Sequence, residues 1–502
     1  MSDPFVTLTP GQPIARSELP RLSTDAFLAT CRDVVSSGGQ VVQFFGFLDD
    51  GAVQMVAVLR TDVLRAACCE APPSYPSLTT TCPAFHLFER ELAEQFGIRP
   101  EGHPWLKMVR YHPNVLGRED LFGNDYAEDI PGRYPSYQVA GDEVHEVAVG
   151  PVHAGVIEPG HFRFNCVGER VLHLEIQLGY QHRGVEAMLR SIAPPRIPLV
   201  VESIVGDSAV ASSLCLSQAV EGLMGLCVPR EAQRLRTVAL ELERLANHVG
   251  DLGALSGDVA FVPPQNYFGR MRGELLNMTL LLASNRFGKG LVRPGGLGLD
   301  CPSARQRLVL ERLQQLRPQL EHVIELLFGT PSVRARFEEC GRVSTADARA
   351  LGLVGPAGRA SGLPHDVRRS FGTELYPELM LPDHCETSGD VYARARIRAD
   401  EILQSVALVE RLLGETTSVD AAPLAAWALA PSSLVVTLHE AWRGELSHCL
   451  ITDESGSIAH YKIKDPSFHN WSGLALALRD TGISDFPLNN KSFNLSYCGH
   501  DL

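Results

Sequence analysis

The sequence lacks closely spaced cysteines. None of its twelve cysteines lies in a C-x-x-C pair, and they are scattered from Cys31 to Cys498. Iron–sulfur clusters and structural zinc sites usually take two or more thiolates from one tight turn, because a short chelate loop costs little closure entropy. The scatter argues against a metal site of either kind in this chain. We interpret the cysteines as small buried apolar residues.

Long apolar runs and an excess of basic residues are also missing. The longest apolar candidate, residues 41–48, is the size of a strand and far short of the roughly 18 residues that a membrane span needs. The chain has 45 basic and 59 acidic residues, a formal charge of -14, which argues against nucleic-acid binding. The N-terminal residues form neither a basic n-region nor an apolar h-region, so we expect a cytoplasmic protein.

The length and the periodic patterns predict an α+β protein. Residues 1–112 are predicted to form an α/β domain, with a hairpin at 41–59 around the turn DDGA. Apolar residues at positions 85, 88, 92 and 96 predict a helix that Gly97 ends. Residues 113–145 are rich in Pro, Gly, Asn and Asp without a sustained period, which is typical of a linker.

Residues 146–502 are predicted to form a mostly helical large domain, a helix bundle with small antiparallel sheets. Within 229–252 an apolar seam of alternating steps of three and four predicts a core helix that begins after Pro229 and loosens at Gly250 and Gly253. Further helices are expected at residues 214–226, 273–284, 305–327 and 400–413. Residues 432–463 have a β pattern around the turn DESGS.

Residues 150–189 concentrate polar groups around one predicted strand. Residues 171–178 alternate between polar and apolar side chains, which predicts a half-buried strand. The polar residues that flank it are His153, Glu158, His161, His182, Arg183 and Glu186. An ordinary hairpin with surface histidines explains this pattern as well as a functional cluster does.

Sequence blocks across the chain resemble one family. GPVHAGVIEPGHFRF and IQLGYQHRGVE resemble the start of the large subunit shared by respiratory complex I and the energy-converting (group 4, formate hydrogenlyase-type) nickel-iron hydrogenases. Later blocks of the same family follow in order: LELERLANHVGDLGALSGDVAF, RPGG, GLVGPAGRASGLPHDVRR, GDVYAR and GELSHCLITDESGSIAHYKIKDPSFHN. ERELAEQFGIRPEGHPWLK resembles the small complex I subunit, so the resemblance implies a fusion of the two.

The resemblance also locates the nickel ligands of the hydrogenases, which are four cysteines in two blocks. Their positions here carry Val205 and Ser208 in the first block and Ser496 and Gly499 in the second. Cys498 is one residue out of register. Low-valent nickel needs soft thiolates, which a hydroxyl or an aliphatic side chain cannot replace. We therefore expect no metal, and the chain stops where hydrogenase precursors carry a tail removed after nickel insertion.

The complex I side of the resemblance implies a quinone site. Its histidine falls on His161, with His153 as the rival because of a two-residue insertion, and its aspartate falls on Asp258. Its tyrosine falls at 205–207, where Asp207 is the polar residue. Glu158 corresponds to the glutamate that passes protons in hydrogenases. We expect Glu158, His161, Asp207 and Asp258 to be catalytic, as histidines titrate near neutral pH and carboxylates relay protons.

The remaining polar residues, His153, His182 and Arg183, are expected to line the same cavity. The resemblance implies that the chain binds no cofactor by itself, that a quinone binds at an interface, and that a 4Fe-4S cluster lies in a partner. Quinone binding and NAD binding are functions that the resemblance to complex I implies.

Two functions follow from the resemblance. The first is an oxidoreductase-complex subunit that has lost nickel, is inactive alone, and couples electron transfer to ion translocation. The second is a non-catalytic scaffold. In both, the partners are an iron–sulfur small subunit of complex I type and antiporter-like membrane subunits, which hold the chain on the inner face of the cell membrane. Ligand chemistry argues against an active hydrogenase.

Overall fold

The computed structural model describes residues 4–117, 121–123, 135–155, 157–422, 424 and 426–502. Part of the predicted linker, 113–145, lies outside the described residues, and the predicted domain limits remain predictions. The strands are β1 Val6–Leu8, β2 Ile14–Ala15, β3 Arg21–Leu22, β4 Gln40–Asp49, β5 Ala52–Arg60, β6 Leu64–Glu70, β7 Ser74–Pro76, β8 Arg99–Glu101, β9 Val144–Val149, β10 His161–Val167, β11 Arg170–Gln177, β12 Val292–Arg293, β13 Gly296–Leu297, β14 Ser433–Ala441, β15 Gly444–Thr452 and β16 Ile458–Lys464.

Most of the helices lie in the second half of the chain, and the predicted α+β class is confirmed. They are α1 Thr24–Ser36, α2 His86–Phe96, α3 Val185–Ser191, α4 Ile197–Val201, α5 Ala209–Met224, α6 Arg230–Asp258, α7 Val262–Ala283, α8 Ser303–Gly329, α9 Pro331–Phe337, α10 Thr345–Leu351, α11 Gly355–Ala360, α12 Val367–Ser370, α13 Val391–Leu413, α14 Ser467–Ala477, α15 Phe486–Phe493 and α16 Tyr497–Asp501. Among the described residues, no helix combines the length and apolar character that a membrane span requires.

The N-terminal part is built on one sheet in the order β1-β6-β5-β4, with β3 parallel to β6. The predicted hairpin is confirmed as β4 and β5. The predicted helix is α2, and it ends at Gly97, whose φ of 67° is the left-handed conformation that glycine adopts without strain. Phe44, Phe85 and Phe88 pack between this helix and the sheet.

Helix α6 is the centre of the bundle and packs against α7 and α13. The expectation that Gly250 and Gly253 loosen its end is wrong, because the helix continues to Asp258. A Cβ at Gly250 would lie 2.9 Å from the Arg272 side chain, and one at Gly253 would lie 3.0 Å from the Phe268 Cβ. Both glycines therefore let α7 approach α6 closely.

The C-terminal sheet joins the two ends of the chain. Its order is β16-β15-β14-β2, so Ile14 and Ala15 of the N-terminal part pair with Leu434 and Ser433. The β pattern predicted at 432–463 is confirmed as three strands, and the turn DESGS joins β15 to β16. The two predicted domains thus share a sheet.

The predicted strand at 171–178 is confirmed as β11, but its polar face is not the exposed one. Glu175 is buried, and its carboxylate is satisfied by hydrogen bonds from Lys107, from Trp105 Nε1 at 3.0 Å and from the Tyr137 backbone N–H at 2.7 Å. The pairing with β10 shifts at Asn165. Alternation alone cannot anticipate partners that come from other parts of the chain.

A buried ionic network holds the bundle together. Four carboxylates (Glu241, Asp366, Glu401 and Glu440) meet three guanidinium groups (Arg244, Arg359 and Arg368) inside the core. Arg359 is its hub: it donates to Glu401 Oε1 at 2.6 Å, to Glu440 Oε1 at 2.7 Å and to the His365 carbonyl at 2.9 Å. Because α11, α13 and β14 each contribute a member, the network fixes their relative positions.

We predict that Arg359→Met destabilises the protein by about 3–5 kcal/mol, because buried Glu440 loses its cation and buried Glu401 keeps only Arg244, at 3.3 Å. The matched control is Arg317→Met, which removes an exposed arginine bound to Glu321 and Glu410 and should change stability by less than about 1 kcal/mol. Urea unfolding followed by circular dichroism compares the two. Equal shifts in the unfolding midpoint would contradict this account of the core.

Candidate functional site at the C-terminal segment

Two histidines, His153 and His161, close the loop between β9 and β10. Both are candidates from the sequence for the histidine of the quinone site. His153 Nε2 donates to the Gly160 carbonyl at 2.9 Å, and His161 Nδ1 donates to the Gly150 carbonyl at 3.2 Å. Each histidine therefore ties one end of the loop to the other. Burial, the largest influence, lowers the pKa of His161, so its ring is neutral at pH 7 and Nε2 remains as an acceptor.

Glu158, in the same loop, reaches the C-terminal segment, which we define as residues 491–502. Its Oε2 accepts the Tyr497 backbone N–H at 3.3 Å. Burial, together with the neighbouring Glu158 carboxylate, raises the pKa of the Cys498 thiol to about 12. Cys498 is consequently a thiol rather than a thiolate at neutral pH.

Asp207 forms an ion pair with Arg443, a residue that the sequence did not single out. Arg443 donates from its two terminal nitrogens to Asp207 Oδ1 at 2.6 Å and Oδ2 at 3.0 Å. Its Nε donates to the Asn494 carbonyl at 2.6 Å, and its guanidinium carbon lies 3.8 Å from the centroid of a ring of Trp442. Burial alone would lower the pKa of Arg443, but the Asp207 carboxylate raises it above its usual value.

His182 and Arg183 bind the C-terminal segment from a third side. His182 Nδ1 donates to the Asp501 carbonyl at 2.8 Å, and burial lowers the pKa of His182 to about 4. Arg183 donates to the Ser203 carbonyl at 3.0 Å, to the Ile204 carbonyl at 2.8 Å and to the Cys498 carbonyl at 3.4 Å. Arg183 thus joins the two blocks in which the resemblance locates the hydrogenase cysteines.

Asp258 is the last residue of α6 and forms an ion pair with Lys491. Among the described residues, His161 and Asp258 bind these separate partners and not each other. Five of the predicted residues bind residues 491–502, directly or, for Asp207, through Arg443: Glu158, Asp207, His182, Arg183 and Asp258. His153 and His161 instead hold the adjoining loop between β9 and β10. Their assignment as catalytic or cavity residues remains a prediction.

Sequence reasoning missed Arg443 and its support, Trp442. Arg443 lies 236 residues from Asp207, so no local spacing connects them. The available signal was the WR dipeptide directly before the GELSHC block, since a buried arginine in a turn between two apolar strands needs an anionic partner.

The four positions that the resemblance aligns with nickel ligands are occupied by residues with other contacts. Val205 packs in an apolar cluster with Ile204 and Leu502, and Ser208 precedes α5. Ser496 accepts the Gly499 backbone N–H at 2.8 Å, and a Cβ at Gly499 would lie 2.6 Å from the Asp465 carboxyl carbon. This donor set does not fit nickel. No grouping of three or more His, Cys, Asp or Glu in the described part of the chain is arranged for a metal ion.

Comparison with known proteins finds two matching families. Residues 258–428 match the family described as respiratory-chain NADH dehydrogenase, 49 Kd subunit, and residues 30–121 match the 30 Kd subunit of the same enzyme. The chain is a fusion of these two complex I subunit domains. The fusion predicted from the sequence is therefore confirmed.

Curated relatives of this complex I-like protein belong to both branches of the family. Formate hydrogenlyase subunit 5 of Escherichia coli (strain K12) is 28% identical over 437 residues, which cover 85% of this chain and 76% of the relative. Hydrogenase-4 component G of the same organism is 26% identical, covering 84% and 75%. The C/D subunit of NADH-quinone oxidoreductase from Bdellovibrio bacteriovorus (strain ATCC 15356 / DSM 50701 / NCIMB 9529 / HD100) is 24% identical, covering 84% and 82%. The chain is a hydrogenase-related subunit of a membrane complex.

We predict that Asp207 and Arg443 are energetically coupled. In a double-mutant cycle with Asp207→Asn and Arg443→Gln, the coupling free energy should be about 1–2 kcal/mol, because a charge-assisted pair loses most of its energy when either partner is neutralised. Chemical denaturation of the four proteins measures it. Additive effects of the two substitutions would contradict the pairing.

Proposed function

We propose that this complex I-like subunit works without nickel, in a membrane-associated redox complex that couples electron transfer to ion translocation. The observation that carries the proposal is the Asp207–Arg443 pair. It bridges the two blocks in which the related hydrogenases would place their four thiolates, since Arg443 binds Asp207 in one and the Asn494 carbonyl in the other. An arginine in this position brings a fixed positive charge and no redox chemistry.

The donor chemistry supports the absence of nickel. Valine, serine and glycine offer no soft ligand, and the nearby Cys498 thiol has its pKa raised to about 12 by burial and by Glu158. Restoring a cysteine at position 499 would also force its Cβ against Asp465.

The residues around the C-terminal segment can hold and move protons. The Glu158 carboxylate faces the Tyr497 backbone N–H, the neutral His161 ring offers Nε2, and the Asp207 carboxylate is partly open to solvent. When bound in a partner subunit, a 4Fe-4S cluster supplies one-electron steps. In this proposal the three side chains hold and move protons beside the C-terminal segment.

A quinone at the interface would meet His161 Nε2, which no described residue occupies. The chain lacks the tyrosine of the complex I site, and Asp258 is bound to Lys491 rather than to His161. His161 is therefore the single residue of this chain that we assign to a quinone head group.

The partners that we propose are an iron–sulfur small subunit and antiporter-like membrane subunits. Two relatives are named as the alpha subunit of a membrane-bound hydrogenase, from Pyrococcus furiosus (strain ATCC 43587 / DSM 3638 / JCM 8422 / Vc1), and the C/D subunit of NADH-quinone oxidoreductase. By analogy with these assemblies, the chain sits on the inner face of the cell membrane through its partners and is inactive alone.

A non-catalytic scaffold is the second candidate. It is favoured by the structural contacts that several candidate residues make: His153 and His161 each close the loop, and Asp258 fixes Lys491 to the end of α6. In a scaffold these contacts are the whole role of the residues.

We predict that the intact complex, purified through this chain from cells grown with added nickel, contains iron but no stoichiometric nickel. Elemental analysis by mass spectrometry measures both metals in the same sample. One nickel per chain would overturn the proposal, because the metal would then need ligands other than the residues described above.

Substitution in the complex separates the redox role from the scaffold role. Glu158→Gln and His161→Gln should each lower its electron-transfer rate by about 10²–10⁴-fold, the usual contribution of a positioned proton donor or acceptor. The control is His145→Gln, at an exposed histidine of β9, which should leave the rate unchanged. Assembly is checked by gel filtration. Full rates in both site variants, with normal assembly, would favour the scaffold.

A further inference from the structure

A cavity that is open to solvent lies away from the candidate functional site and belongs to no assigned function. Its volume is about 490 Å³. The N-terminal residues 10–13 form one wall, the C-terminal end of α5 with residues 225–228 forms the second, and residues 373–374 form the third. A cavity of this size falls in the range of small-molecule sites.

The walls of this cavity are held by backbone contacts. Gly11, whose φ is +77°, donates its backbone N–H to the Val436 carbonyl at 2.8 Å. A Cβ at Gly222 of α5 would lie 2.0 Å from the Gly11 carbonyl oxygen. The N-terminal segment is therefore pressed against α5 at a point where only glycine fits, and the cavity is preformed beside it.

An uncompensated negative charge borders the cavity. Glu221 and Glu374 share Arg236, the one cation that reaches either carboxylate within the described part of the chain. Arg236 binds Glu221 closely, with its Nη2 at 2.5 Å from Oε1, but its Nη1 is 3.3 Å from Glu374 Oε1. Burial, together with the nearby Glu221, raises the pKa of Glu374, so this carboxylate is the poorly compensated member.

Three oxygen atoms in the lining residues have no hydrogen-bond partner among the described residues: Glu374 Oε2, Gln218 Oε1 and Thr373 Oγ1. The Glu374 side chain is only 3% exposed. Gln218 Nε2 already donates to Glu374 Oε1 at 3.2 Å, which leaves the amide oxygen as the open group of that side chain. Buried polar atoms are nearly always hydrogen-bonded, so three open acceptors at one cavity indicate a missing donor.

We propose that this cavity binds a small organic cation whose ammonium or guanidinium group donates hydrogen bonds to Glu374, Gln218 and Thr373. The open oxygens of Glu374 and Gln218 can only accept hydrogen bonds, the Thr373 hydroxyl can accept one as well, and the local charge is negative, so a donor-bearing cation is complementary and an anion is not. Pro10, Pro13, Leu226 and Val228 supply an apolar lining for the methylene groups of such a ligand. A guanidinium or a polyamine presents several N–H donors at once, as three separate acceptors require.

Isothermal titration calorimetry on the full chain tests the site, with spermidine and agmatine as the probes. We expect saturable binding of at least one of them, and at least a tenfold loss of affinity in Glu374→Gln. This variant removes a poorly compensated buried charge and should fold. The matched control is Glu378→Gln, which alters an exposed glutamate four residues away that pairs with Arg230 and should keep the affinity.

Three results would overturn the proposal: no saturable binding of either probe, equal affinities for Glu374→Gln and the unsubstituted chain, or equal loss in both glutamate variants. Thermal denaturation with sodium chloride at matched ionic strength provides a second check. Stabilisation by sodium equal to that by the probes would also overturn it, because general screening would then explain the effect. The site is independent of the proposed redox function.

Discussion

The contact on which the functional end of the molecule depends is the bond network of Arg443. One guanidinium group binds the Asp207 carboxylate, the Asn494 carbonyl and the face of Trp442. Those partners come from segments that are far apart in the chain. Within this ion pair the Arg443 side chain is buried, with 5% of it exposed, whereas 33% of the Asp207 side chain is exposed. A partly desolvated charge of this kind must keep its partner, which fixes the position of residues 494–499 relative to α5.

The same physical rule organises the core. The chain buries arginines beside carboxylates at Arg359, Arg368 and Arg236, and each of them joins elements that lie far apart in the sequence. In the core network carboxylates outnumber guanidinium groups, but both oxygens of each carboxylate accept a hydrogen bond, and the result is a rigid scaffold. At Glu374, in contrast, Oε2 has no donor among the described residues, and the structure retains an open acceptor next to a cavity. The difference between these two situations separates residues that hold the fold from residues available to a ligand.

Elements with a local period could be predicted from the sequence. The hairpin of β4 and β5, helix α2 with its Gly97 end, and the seam of α6 all follow from patterns within a few residues. The continuation of α6 through two glycines could not, because the reason is the approach of α7. The burial of Glu175 could not either, since Lys107 and Trp105 come from the N-terminal part. Glu158 and Asp207 were found through the resemblance, whereas Arg443 required the structure.

The central claim is that an ion pair, and not a metal, bridges the two blocks that carry the nickel ligands in related hydrogenases. The most direct measurement is an anomalous difference map, from crystals of the assembled complex, recorded on both sides of the nickel absorption edge. The account predicts continuous density for the Arg443 guanidinium against Asp207 and no nickel peak between Ser208 and Ser496. A peak at that place, with Arg443 displaced from Asp207, would contradict it.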